Sequence, residues 1–145
     1  MKFTNGEILA ICKILLDSRS LTKAEMSRVL DKMISYCVPE KNQKVVKELI
    51  SNEKFHYVEP RHKTEFLNLM WDIGLAIRGS NYIEMEYERI KDKTVAFRKI
   101  KPAAIMFSEY YFYLTEFIDD NEVLKKFDVI NDAFPTIYRI DRIKN

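Results

Sequence analysis

The sequence predicts an α+β protein, in which a helical unit of about four helices precedes a small antiparallel β-sheet. Apolar residues recur at helical spacing through the first half, and the period changes to two from Tyr82 onward. Two Thr-x-x-Glu boxes, which mark helix starts, fall in the first half. At 145 residues, with 47% hydrophobic and 32% charged side chains, the chain has the length of one ordinary domain or two very small ones and can bury a usable core.

The first box, Thr4 to Glu7, opens a helix whose apolar face is Ile8, Leu9, Ile11, Cys12, Leu15 and Leu16. The second, Thr22 to Glu25, opens a run with Val29, Leu30, Met33 and Ile34 on one face, stopped near Pro39. A third helix over about 42–52 places Val45, Val46, Leu49 and Ile50 inward, and "KFHYV" reads as a short extended link. The fourth, about 63–78, is nearly apolar over "FLNLMWDIGLAI", which predicts burial on more than one side, and Gly79 ends it. A helical unit 1–79 and a sheet domain 80–145 follow from this division.

From Tyr82 the stretch "YIEMEYERI" alternates Ile83, Met85 and Tyr87 against Glu84 and Glu86. "KDK" turns the chain into "TVAFRKIKP", "FSEY" is a second turn, and "YFYLTEF" is a third strand in which Tyr111 and Tyr113 share one face and Phe112 and Leu114 the other. The acidic segment 118–135 is irregular apart from a helical turn at "NEVLKKF", and "TIYRIDRI" is a last strand. So few strands remove their exposed edges most efficiently by closing into a small barrel.

Composition excludes several classes. The net charge of +2 is too small for general nucleic-acid binding, so a basic site must come from local clustering. No apolar run approaches the roughly 20 residues of a membrane span and the N-terminus lacks a signal-peptide core, which predicts a cytoplasmic protein without membrane contact. Cys12 and Cys37 read as free thiols in apolar helical patterns. His56 and His62 flank Pro60 at a spacing that matches no helical metal pair, and no nucleophile elbow or phosphate-cradling glycine loop is present. No catalysis, metal or cofactor is expected.

What remains is a set of cations and aromatics in the sheet. Arg98, Lys99 and Lys101 lie on one strand, Arg139 and Arg142 on another, with Tyr87, Tyr110, Tyr111 and Tyr113 between them in sequence. Arginine's planar fork suits phosphate oxygens, and tyrosine offers a stacking face with a hydroxyl donor, so the set suits a nucleotide or a short single strand. The pattern alone favours the other reading, in which the aromatics fill a barrel, Arg142 pairs with Asp141 or Asp119, and the lysines face solvent.

The pieces "IEMEY" (83–87), "RKIKP" (98–102), "FYL" (112–114) and "YRIDRI" (138–143) occur in the order and approximate spacing of the WYL domain, which residues 80–145 resemble. That resemblance implies a Sm-like barrel. It also implies the ligand-sensing part of a bacterial transcription regulator, with the preceding helices as a linker and the DNA-binding domain outside this chain. The ligand implied is a nucleotide or single-stranded nucleic acid, met by Tyr87, Arg98, Tyr113, Arg139 and Arg142.

Phe112 stands where the family carries tryptophan, and the acidic insertion 118–135 is longer than the usual connection. Arg139 and Arg142 differ by three positions, so a regular strand would turn them to opposite faces. Tyr113 is expected beside Arg98. The competing expectation is a homodimer formed by the apolar helices, acting as a protein-interaction module with no small ligand.

Overall fold

The computed structural model describes residues 2–88, 93–116 and 137–144. Among these residues it is α+β, with four α-helices followed by five strands in small antiparallel sheets. The chain divides into two compact units, Met1–Glu65 and Phe66–Asn145, so the fourth helix belongs with the sheets rather than with the first three helices, and the division falls before residue 79.

In the first unit, α1 (Asn5–Ser18) and α2 (Lys23–Cys37) begin at the two expected boxes, each closed in both directions. Glu7 N–H donates to Thr4 Oγ1 (3.1 Å) and Thr4 N–H to Glu7 Oε1 (2.7 Å), which satisfies two otherwise orphaned donors. A two-residue turn, Val38 and Pro39, leads into α3 (Glu40–Phe55). The core repeats every fourth residue, with Ile8, Cys12 and Leu16 on α1, Met26, Leu30 and Ile34 on α2, and Val46 and Ile50 on α3.

Only half of the expected α3 face is inside. Val45 and Leu49 are about half exposed. Lys54 and Phe55 of the expected extended link belong to α3, and the segment after it is a strap: the Tyr57 hydroxyl donates to Leu21 O (2.6 Å), and Glu59 accepts from Lys23 N–H (2.8 Å). Lys13 ties α1 to α3 by donating to Leu49 O (2.8 Å) and Glu53 Oε1 (2.5 Å).

In the second unit, α4 is shorter than expected, Leu67–Arg78. The expectation that it is buried on several sides is corrected. Ile73 alone along it is fully buried, while Trp71 is 68% exposed. Its apolar composition serves one face, where Leu69, Met70 and Ile77 join Ile73 against the sheets. Gly79 caps it with ordinary right-handed φ, and Ser80 takes the positive φ in its place.

Strand β1 (Ile83–Glu88) pairs antiparallel with β2 (Val95–Ile100). After the single residue Lys101 the chain continues as β3 (Pro102–Ser108), a strand the period-two reading does not contain. A two-residue turn, Glu109 and Tyr110, both at positive φ (47° and 77°), joins β3 to β4 (Tyr111–Glu116), as a type I′ hairpin requires. β5 (Ile137–Arg139) pairs with β4, giving sheets β1-β2 and β3-β4-β5.

Two expectations change at the C-terminal end. The last strand stops at Arg139, and Ile140–Arg142 form a 3-10 turn, so strand parity does not govern Arg142. The barrel is not closed by a continuous ladder among the described residues; Ile143 makes an isolated antiparallel bridge to Tyr87. Leu114, Ile100, Ile140 and Met85 form the centre of the core, with Phe112 against it, as the facing of β4 predicts. The expected turn at "NEVLKKF", the acids of 118–135 and part of "KDK" lie outside the described residues.

Candidate functional site around the 3-10 turn

The short β5 ends where Ile140 enters the core with no exposure, and this anchors the turn that carries Arg139, Asp141 and Arg142. Arg139 lies opposite Tyr113 in the ladder, so their side chains share a sheet face with Tyr111. The Arg139 guanidinium lies over the Tyr111 ring at 3.7 Å from its centroid, and Tyr111 meets Tyr113 edge-on at 6.5 Å. Its Nε and Nη2 both donate to the buried Asp141 carboxylate, at 3.2 and 2.8 Å. Burial pulls the Arg139 pKa down, but the Asp141 hydrogen bonds and charge outweigh it and leave the group raised, permanently cationic.

Tyr87 reaches the same turn from β1. Its hydroxyl accepts from Arg139 N–H (3.2 Å), and its ring meets Tyr138 edge-on at 5.0 Å. Burial pushes its pKa up, while the Arg139 N–H and the positive charges of Arg142 and Arg139 pull the other way. The hydroxyl is therefore protonated and close to both arginines.

Arg142 is placed differently from Arg139. Its Nη1 is 3.7 Å from Glu88 Oε1, an ion pair too long for a good hydrogen bond. Its Nε is buried and has no hydrogen-bond partner among the described residues. Lys144 Nζ approaches the other oxygen of Glu88 at 3.0 Å, and Lys144 N–H donates to Glu86 O (2.8 Å). Hydrogen bonding and charge from Lys144 hold the Glu88 carboxyl below its usual value, with smaller help from Arg142 and Lys93. The expected pairing of Arg142 with Asp141 is corrected: Asp141 is taken by Arg139, and Arg142 turns to Glu88. Asp119 lies outside the described residues.

Of the five sequence-predicted residues, the structure gathers Tyr87, Tyr113, Arg139 and Arg142 about one turn and leaves Arg98 apart. Arg98 is exposed, and its guanidinium acts on Tyr138, whose side chain shares a face with Leu114, opposite to Tyr113. Tyr138 donates to Glu116 (3.2 Å), and burial together with the Glu116 charge pushes its pKa up to about 12. Arg98 and Tyr113 are thus not neighbours across a common pocket.

Tyr111 and Asp141 carry a signal in the sequence, each two positions from a predicted residue and so on its face of a strand. Glu88 and Lys144 carry none, because the bridge of Ile143 to Tyr87 brings them together over most of the second unit's length. His62 Nδ1 accepts from Thr64 N–H (2.8 Å) and His56 caps α3, both in the first unit. Among the described residues no helix is long and apolar enough to cross a membrane. No family model matches the chain, and no curated protein matches it.

Proposed function

We propose that the chain is the ligand-sensing part of a cytoplasmic bacterial transcription regulator of the WYL kind. It binds a nucleotide or single-stranded nucleic acid at the 3-10 turn, performs no catalysis, and leaves DNA to a domain outside this chain. The observation that carries this reading is Arg142, whose buried Nε has no partner among the described residues, beside a protonated Tyr87 hydroxyl and a fixed Arg139. A buried guanidinium with an unmet donor is costly unless something supplies an acceptor, and phosphate oxygens match its fork. Tyr111, with Arg139 over its ring, and Tyr113 supply aromatic surface on the Arg139 side of the turn.

The strand order supports the finer fold reading of a Sm-like barrel. β2 and β3 run on through Lys101, β4 and β5 follow, and the 3-10 turn returns the chain to β1 at Tyr87. In this reading Arg142 and Tyr87 meet the ligand, Arg139 holds the turn, and Arg98 lies outside the site.

Calorimetric titration with short single strands and with cyclic dinucleotides tests it. Arg142→Ala is expected to weaken binding about 10- to 100-fold, the loss of one or two charge-assisted bonds, with Arg98→Ala within about twofold of wild type. Unchanged affinity in Arg142→Ala would sink the assignment.

A second reading, a homodimer through the helical unit, is favoured by one observation. Ile11 and Ile14 on α1 and Val45 and Leu49 on α3 are all exposed, at spacings that align each pair along its helix. Light scattering at high concentration should give twice the monomer mass, and Ile14→Lys should return it to monomer.

A further inference from the structure

Resting on that site, the geometry points to Glu88 as a built-in anion occupying the phosphate position between Arg142 and Lys144, so that the site selects a phosphomonoester end over an internal phosphodiester. The two oxygens of Glu88 are divided between the cations, Oε1 facing Arg142 at 3.7 Å and Oε2 facing Lys144 at 3.0 Å. The division is unequal. Lys144 is at hydrogen-bond distance, Arg142 is not, and Arg142 Nε keeps no partner among the described residues. A carboxylate carries one negative charge, and this site presents two cations to it.

The exchange of Glu88 for a ligand can be counted in oxygens and charge. An internal phosphodiester offers two non-bridging oxygens and one negative charge, the same as the carboxylate it displaces, so the swap gains little. A terminal phosphate offers three oxygens and a charge of about −1.5 to −2 near neutral pH. Lys144 and Arg142 together carry two positive charges against the single charge of the carboxylate, and the greater charge of the phosphate offsets the separation of Glu88 from its cations.

Glu88 is three-quarters buried, and its partners arrive from the 3-10 turn and the residue after the bridge, so the carboxylate is held in place by the fold. The opposing groups at the turn are accounted for: Asp141 is engaged by Arg139, and the Tyr87 hydroxyl already accepts from Arg139 N–H while its own proton remains to donate.

The test is titration of the whole chain with one short single strand in three forms: unphosphorylated, 5′-phosphorylated and 3′-phosphorylated. Wild type is expected to prefer a phosphorylated form about tenfold or more, one extra charge-assisted bond. Glu88→Gln, with the competing charge gone, is expected to bind the unphosphorylated strand more tightly and so narrow the preference. Equal or weaker binding of both phosphorylated forms by wild type overturns the selection while leaving the site in place. A preference that persists unchanged in Glu88→Gln overturns the role of Glu88. Absence of binding in every form, by wild type and by folded Glu88→Gln, overturns the site itself.

Discussion

In the helical unit the buried carboxylate of Glu25 is served by Thr22, three residues away, whereas in the sheet unit the Tyr87 hydroxyl is served by Arg139, 52 residues along the chain. Tyr138 and Glu116, 22 residues apart, repeat the second pattern. Local pairing fixes a helix start before any tertiary contact forms. Distant pairing exists only once the sheets have assembled, so the arginine that holds the turn in shape and the arginine that keeps an unmet donor among the described residues become distinguishable only there.

The sharpest way to break that distinction is at Asp141. Its carboxylate is nearly fully buried under Arg139, and Asp141→Ala leaves a mostly buried guanidinium unpaired, which is expected to cost about 3 kcal/mol. Urea denaturation reads the loss, and the double variant Arg139→Met with Asp141→Leu should recover most of it, since apolar replacement of both partners removes the uncompensated charge. Failure of the double variant to recover would mean that the pair is not a self-contained clamp.

A local cap is worth less. Thr22→Ala removes the buried N-cap of α2 and is expected to cost about 1 kcal/mol, with Thr4→Ala, at the exposed cap of α1, nearer 0.5 kcal/mol. Smaller again is the Lys13–Glu53 pair, about 40% exposed on both sides, where a double-mutant cycle should return between about 0.2 and 1 kcal/mol.

This hierarchy explains what the sequence could carry. Both helix starts were readable because a capping box is written in four consecutive residues. The facing of β4, with Phe112 and Leu114 inward, was readable because alternation is local. β3 was not, because "PAAIMFS" does not alternate, opens on Pro and runs into the turn signal "FSEY", and its strand state comes from pairing with β4. The half-exposed Val45 and Leu49 and the exposed Trp71 could not be separated from their buried neighbours by periodicity, which marks apolar positions without saying how many faces are covered. At the site, strand parity in "YRIDRI" separates Arg139 from Arg142 without saying what each one meets. The 3-10 turn, set by Ile140 entering the core, gives one arginine to Asp141 and the other to Glu88.

The two capping boxes, alike in sequence pattern, are expected to respond oppositely to acid. Glu7 is fully exposed, and the hydrogen bonds from Thr4 N–H and then from its side chain lower its pKa below 4.5. A lowered carboxyl stabilises the fold above the unfolded value, and that contribution is lost as the pH falls through the folded one. Glu25 is buried, and burial, with the Glu65 charge adding to it, raises its pKa above 4.5 despite the bonds from Thr22. Here the folded state holds the proton more tightly than the unfolded chain, so stability declines as the pH rises from about 4.5 through the raised value and levels off above it. Glu25→Gln should flatten that decline, while Glu7→Gln should lessen the loss on the acid side, to which the lowered Glu88 also contributes. Denaturation midpoints across pH 3 to 7 for the two variants decide the matter; a Glu25→Gln curve parallel to wild type would show that the buried box carries no proton linkage and that its burial is without consequence for it.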